Sequence, residues 1–102
     1  MDLEYFYGAI HEEIDGAKEY IKKAMELKAM SSSMSKRLHD MAKDEQKHAE
    51  YLYEMAMTYY GKVTEPYGSS VPSYISDLRD KITTLYAKEM VEVKILINMY
   101  ED

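Results

Sequence analysis

The sequence contains no cysteine and no tryptophan, and it has only one phenylalanine, two prolines and four glycines among its 102 residues. The absence of cysteine excludes disulfides, thiolate zinc sites, iron–sulfur clusters and thiol nucleophiles. Because proline and glycine are so scarce, long helices are favoured over strands and tight turns. The length suits one small domain, residues 1–102, with one core.

The sequence also lacks a basic surface and a long hydrophobic run. Its formal net charge is -6, which argues against binding to nucleic acid or anionic membranes but suits the attraction of cations. No apolar stretch approaches the roughly 20 residues that a membrane span needs. The N-terminus, "MDLEYFYGAI", lacks the basic segment and apolar run of a signal peptide. We therefore expect a soluble, cytoplasmic protein.

Apolar residues recur at helical spacing over three segments, about residues 3–29, 33–60 and 73–100. Asp2 is a candidate N-cap of the first helix, and the serine cluster at residues 31–35 can cap the second. Gly61 is placed to end the second helix, and Ser70 or Ser73 can cap the third. The predicted fold is all-α, a three-helix antiparallel unit.

Each predicted helix carries one row of residues at alternating steps of three and four, which is typical of helical bundles. The rows are Leu3, Phe6, Ile10, Glu13, Ala17, Tyr20, Ala24 and Leu27; Met34, Leu38, Met41, Glu45, His48, Leu52, Met55 and Tyr59; and Ile75, Leu78, Ile82, Leu85, Glu89, Glu92, Leu96 and Met99. Small residues flank the second row at seven-residue steps and would allow a close neighbour, namely Ser35, Ala42, Ala49 and Ala56.

The rows are apolar except near their middles, where they contain glutamates and one histidine but no lysine or arginine. Carboxylates facing a core without a cationic partner would cost several kcal/mol unless neutralised. A bound metal ion would neutralise them. His11 and His39 lie off the rows, and we expect both to be exposed.

Glu45 and His48 stand one turn apart on one face of the second helix. If the first two helices form a hairpin near Ser32, Glu13 and His48 fall within roughly one turn of each other in height. Carboxylate and imidazole ligands together suit iron, manganese or zinc. Glu13, Glu45 and His48 are therefore the leading metal-ligand candidates.

Glu89 and Glu92 on the third helix are predicted at a matching height and are further candidate ligands. Each could instead be an exposed helix glutamate, or a carboxylate that bridges ions or lines their entry route.

These residues supply half of a known ligand set. Di-iron carboxylate bundles use one Glu from each of two helices and Glu-x-x-His from each of two others. This chain has one such Glu, Glu13, and one such pair, Glu45 and His48. A two-fold homodimer, or a higher even oligomer, would complete the site and a four-helix-type bundle.

The segments "EEIDGAKEYIKKA" and "DEQKHAEYL" resemble the ferritin-like superfamily, including rubrerythrins. The short chain is most similar to encapsulated-ferritin-type proteins and small bacterial or phage ferritin-like proteins. That resemblance implies a di-iron site built between two chains, with Glu13, Glu45 and His48 as iron ligands. The chain departs from the family pattern in having three helices, no rubredoxin cysteines, and Glu89-x-x-Glu92 in place of a second Glu-x-x-His.

The leading functional prediction is a non-haem di-iron protein that binds iron and oxidises Fe(II), which would make it an oxidoreductase of the ferroxidase type. A mononuclear manganese or zinc site is one alternative. The other is a metal-free helical interaction protein, phage-encoded or carried as cargo. Nothing in the sequence identifies a shell partner.

Overall fold

A computed structural model describes residues 2–102. It contains α1 (Leu3–Leu27), α2 (Ser32–Thr64) and α3 (Ser73–Glu101), with one 3-10 turn at Glu65–Tyr67 before α3. Within the described chain there is no β-strand. The helices pack lengthwise into a bundle of 57 × 20 × 16 Å, so the prediction of an all-α, three-helix unit is confirmed.

The caps of the first two helices follow the sequence. The side chain of Asp2 accepts a hydrogen bond of 3.0 Å from the Tyr5 amide, and Ser31 accepts one of 3.3 Å from the Met34 amide. Each bond satisfies an amide that the first turn of a helix leaves unpaired. Only four residues separate α1 from α2, so the chain reverses in a short turn and the two helices lie side by side.

The predicted end of the second helix and the predicted serine cap of the third helix are wrong. Helix α2 continues through Gly61 to Thr64, because a helical glycine only weakens a helix and ends it where the backbone turns left-handed. The one positive φ in the described chain, 59°, falls instead at Gly68. The N-cap of α3 is Pro72, with no side-chain cap, so no serine caps this helix.

Helix α1 lies between the other two helices and packs against both, whereas α2 and α3 meet only slightly. It accordingly buries residues on two sides, which include Ile14 and Ile21 outside the predicted row. The full set is Leu3, Phe6, Ile10, Ile14, Ala17, Ile21 and Ala24. This central position means that α1 presents different residues to α2 and to α3.

Helix α2 faces α1 through small residues. The completely buried positions are Ser35, Ala42, Ala49 and Ala56, which confirms that the flanking residues allow close approach. The predicted row beside them is rotated outward, and its methionines are 42–53% exposed, namely Met34, Met41 and Met55. Leu38, Leu52 and Tyr59 of the same row still pack against the core at partial burial. The row therefore lies at the edge of the core, and the expectation that it forms the centre of the core is wrong.

Helix α3 is also rotated relative to its predicted row. It buries Ile82, Met90, Val93 and Ile97, of which only Ile82 belongs to that row. More than half of the surface of Val91, Ile95 and Met99 is exposed. Between residues 2 and 102 the structure contains no helix that is long and apolar enough to cross a membrane.

Candidate metal centre

Three of the predicted ligands meet at the groove between α1 and α2. Glu13 comes from α1, and Glu45 and His48 lie one turn apart on α2. One donor atom of each residue lies within 4.8 Å of the other two. The buried Ala42 and Ala49 beside them hold the two helices close, so the small-residue row brings the donors together.

One carboxylate oxygen of this group lacks a polar partner. Glu13 Oε2 is buried and has no hydrogen-bond partner within residues 2–102 while the Glu45 carboxyl is ionised. The nearest ring nitrogen, His48 Nδ1, is 3.6 Å away, which is longer than a hydrogen bond. A buried oxygen without a donor is costly, and a cation held between these side chains would satisfy it.

The electrostatics of Glu45 show the same crowding of negative charge. Its pKa is raised to about 7. The largest cause is hydrogen bonding to the Glu13 carboxyl; burial and the negative charge of Glu13 add to it, and His48 opposes it. Two carboxyls this close cannot both ionise freely. Without a metal ion, the pair of carboxyl groups shares a proton. A bound metal ion would replace that proton and keep both groups as carboxylates.

The site is open on one side. The Glu13 side chain is 28% exposed, but that of His48 is 53% exposed. On the same outward row of α2 lie Met41 and Met55. The donors therefore lie at the edge of the bundle, next to exposed apolar side chains. They do not lie inside the core of one chain.

The sequence reasoning missed Gly16, which lies on α1 beneath Glu45. A Cβ atom at this position would stand 3.2 Å from Glu45 Oε2. The available signal was a glycine in the interior of a helical segment, three residues after Glu13, where no turn explains it.

Glu89 and Glu92 lie elsewhere, and both form ion pairs with Lys18 of α1. Lys18 follows Glu13 by five residues, which places it about 140° further round the helix. The expectation that these glutamates have no cationic partner is therefore wrong. Their role as metal ligands stays a prediction, and the structure places them apart from the other three candidates.

The charges of this second cluster support an ion pair. Burial lowers the pKa of Lys18, but hydrogen bonds to Glu89 and Glu92 outweigh it and leave the pKa raised. The hydrogen bond from Lys18 in turn lowers the pKa of Glu92. Both shifts favour the charged forms of Lys18 and Glu92, and the two glutamates already have a neutralising cation in Lys18.

The remaining histidines differ from each other. His11 is exposed and lies 3.2 Å from Asp15. The prediction that His39 is exposed is wrong, because its side chain is only 13% exposed. Its ring stacks on Tyr100 at 4.8 Å between centroids, and its Nε2 is 2.7 Å from Glu101 Oε2. His39 thus ties the end of α3 to the α1–α2 hairpin.

The Glu13, Glu45 and His48 arrangement offers carboxylate oxygens and an imidazole nitrogen. That donor set suits iron, manganese or zinc, whereas magnesium and calcium prefer oxygen alone. With two carboxylates and one imidazole, one chain provides half of the side chains of a di-iron carboxylate bundle.

A family model described as Rubrerythrin matches residues 4–102, which is nearly the whole chain and includes all the candidate ligands. No curated protein matches the chain, and no solved structure does.

Proposed function

The chain belongs to the rubrerythrin family of ferritin-like di-iron domains, and we propose that it binds iron and oxidises Fe(II). The observation that carries the proposal is the convergence of Glu13, Glu45 and His48, with a buried oxygen of Glu13 that lacks a partner. In the proposed reaction each Fe(II) loses one electron, and dioxygen or peroxide accepts it.

The three side chains would have different roles in binding iron. Iron supplies the one-electron redox chemistry when bound. Glu13 has a buried oxygen without a hydrogen-bond partner, which is the donor best prepared to bind. Glu45 would have to release the proton that it binds below about pH 7, because only the carboxylate is a ligand. His48 would provide an imidazole nitrogen, and its half-exposed side chain would leave an open side through which ions could enter.

We further propose that a second copy of the chain completes the site. Three donors are too few for two iron ions, and two-fold symmetry would present each donor twice. The exposed Met34, Met41 and Met55 on the donor row of α2 would then be buried at the interface. A higher even assembly could use the exposed residues of α3 as well.

The first experiment measures metal content and Fe²⁺ affinity of chelator-free protein. We expect iron in the purified protein and oxidation of added Fe²⁺ in air. His48→Ala should weaken Fe²⁺ binding at least tenfold under argon, whereas His11→Ala, which changes an exposed histidine outside the site, should not. If both variants bound and oxidised iron like the parent, the proposed ligand set would be refuted.

A metal-free interaction protein is the alternative function. The exposed apolar residues on α2 and α3 support it, because another protein could cover them. This alternative predicts purified protein without metal and no heat of binding with Fe²⁺, Mn²⁺ or Zn²⁺. A mononuclear manganese or zinc protein would instead contain that element after purification.

A further inference from the structure

We propose that Gly16 is a positioning residue for the metal centre, because its missing side chain leaves the space in which Glu45 stands beside Glu13. This inference rests on the proposed function. It assigns a role to a residue that would not itself touch a metal ion.

The space is narrow. A Cβ atom added at Gly16 would lie 3.2 Å from Oε2, 3.6 Å from Cδ and 3.7 Å from Cγ of Glu45. The shortest of these is tighter than nine in ten Cβ contacts in proteins. The atom that would have to move is the carboxylate oxygen, which is the part of Glu45 that binds a metal. A side chain at position 16 therefore requires this donor oxygen to shift by at least a few tenths of an ångström.

The other helical glycines provide a contrast within the same chain. Gly8 lies in α1 and Gly61 in α2, and a Cβ atom at either would meet nothing within 4 Å. Glycine in a helix interior is unfavourable relative to alanine. Only at Gly16 does the structure offer a steric reason for accepting that cost.

Replacing Gly16 by alanine should weaken iron binding without lowering the stability of the metal-free protein. The backbone of α1 becomes more favourable, and Glu45 can rotate toward solvent because its side chain is flexible. In the absence of metal, the variant should melt at the parent temperature or slightly above it. With the carboxylate displaced, Fe²⁺ affinity should fall about tenfold to a hundredfold, the range for losing a contact that orients a ligand.

The test compares Gly16→Ala with Gly8→Ala and Gly61→Ala by calorimetric titration with Fe²⁺ under argon. We expect the two control variants to bind like the parent and Gly16→Ala to bind at least tenfold more weakly. Parent-like affinity for Gly16→Ala would overturn the positioning role while leaving the proposed function intact. Failure of the parent and all variants to bind would overturn the proposed function and this inference with it.

A second measurement needs no metal. In chelator, Gly16→Ala is introduced into the parent and into Glu45→Ala, and Gly8→Ala is introduced into both as the control. The rise in Tm from Gly16→Ala should be larger when Glu45 is absent, because the new methyl group then displaces nothing. Gly8→Ala should give the same rise in both backgrounds. Equal rises for Gly16→Ala would contradict the proposed contact.

Discussion

Replacing Glu13 by glutamine should stabilise the metal-free protein at alkaline pH while removing its affinity for iron. Glutamine has almost the same shape, and its amide can donate a hydrogen bond to the Glu45 carboxylate. The substitution thus removes the repulsion between two carboxylates without leaving a cavity. A side chain that served only the fold would not behave in this way.

The size of the effect follows from Glu45. Its pKa is about 7 in the folded chain and 4.5 without the fold. Such a shift would correspond to about 3 kcal/mol in a dry site. Because this groove is partly open to solvent, screening should reduce the gain from Glu13→Gln to about 1 kcal/mol. For a domain of this size that gain raises Tm by about 4–8 °C.

The effect of Glu13→Gln on the free energy of unfolding should depend on pH. Between pH 4.5 and about 7 the folded parent holds a proton on Glu45 that the unfolded chain releases. The resulting stabilisation is complete below pH 4.5 and is lost as the pH rises through 7. Glu13→Gln removes the main cause of the raised pKa. The variant should therefore exceed the parent clearly at pH 8 and hardly at all at pH 5.

The assay is thermal unfolding followed by circular dichroism in chelator at these two pH values. Glu12→Gln is the matched control, because it changes an exposed glutamate next in sequence and should alter neither curve much. A lower Tm for Glu13→Gln than for the parent at pH 8 would refute the reasoning. A gain of equal size at both pH values would also refute it.

Three further predictions test the site and its support. Fe²⁺ at about 100 times its dissociation constant should stabilise the chain by about 2.7 kcal/mol. At a fixed Fe²⁺ concentration, the rise in Tm should be larger at pH 8 than at pH 6, because protons compete with the metal for Glu45. Glu89→Gln should leave the calorimetric Fe²⁺ affinity unchanged, and a tenfold loss would extend the site to α3. Ala49→Leu should lower the free energy of unfolding in urea by about 1–3 kcal/mol, because the larger side chain forces α1 and α2 apart. Ala87→Leu, on the exposed side of α3, should lower it by less than about 0.5 kcal/mol. Equal losses would contradict close packing at Ala49.

The sequence was sufficient to predict the helices and the heights of three donors. Scarce glycine and proline, with Asp2 and Ser31 as caps, determine where α1 and α2 begin. Helical geometry alone places Glu45 and His48 on one face. A tight hairpin then leaves Glu13 little freedom in height. These features depend on local geometry and on counting residues from a turn.

The rotation of each helix about its axis could not be predicted in the same way. On α2, hydrophobicity favours the row containing Met34 and Met41 as the core, but the structure buries Ser35 and Ala42 one position later. Small residues let α1 approach so closely that backbone packing outweighs the larger apolar area of the methionines. The donor pair consequently lies at the edge of the groove.

The partner of Glu89 and Glu92 was missed for a related reason. Lys18 lies off the predicted row of α1, and its long side chain reaches α3 while its charge stays near solvent. Whether it meets these glutamates depends on how α3 docks against α1. That docking is set by Ile82, which lies on the predicted row of α3, and by buried residues outside it such as Val93.

Exposed methionines and the three donor residues lie on the same surface, and a second copy of the chain would cover the methionines and double the number of donors. Two chains sharing a di-iron site hold one iron per chain, and so do two chains with separate mononuclear sites, so stoichiometry alone does not distinguish them. Dilution does. If Glu45 and His48 of both chains share a site, Fe²⁺ affinity must weaken as the dimer dissociates, and Fe²⁺ must shift sedimentation toward the dimer. Affinity independent of protein concentration, measured across the dissociation range, would show that each chain binds its metal alone.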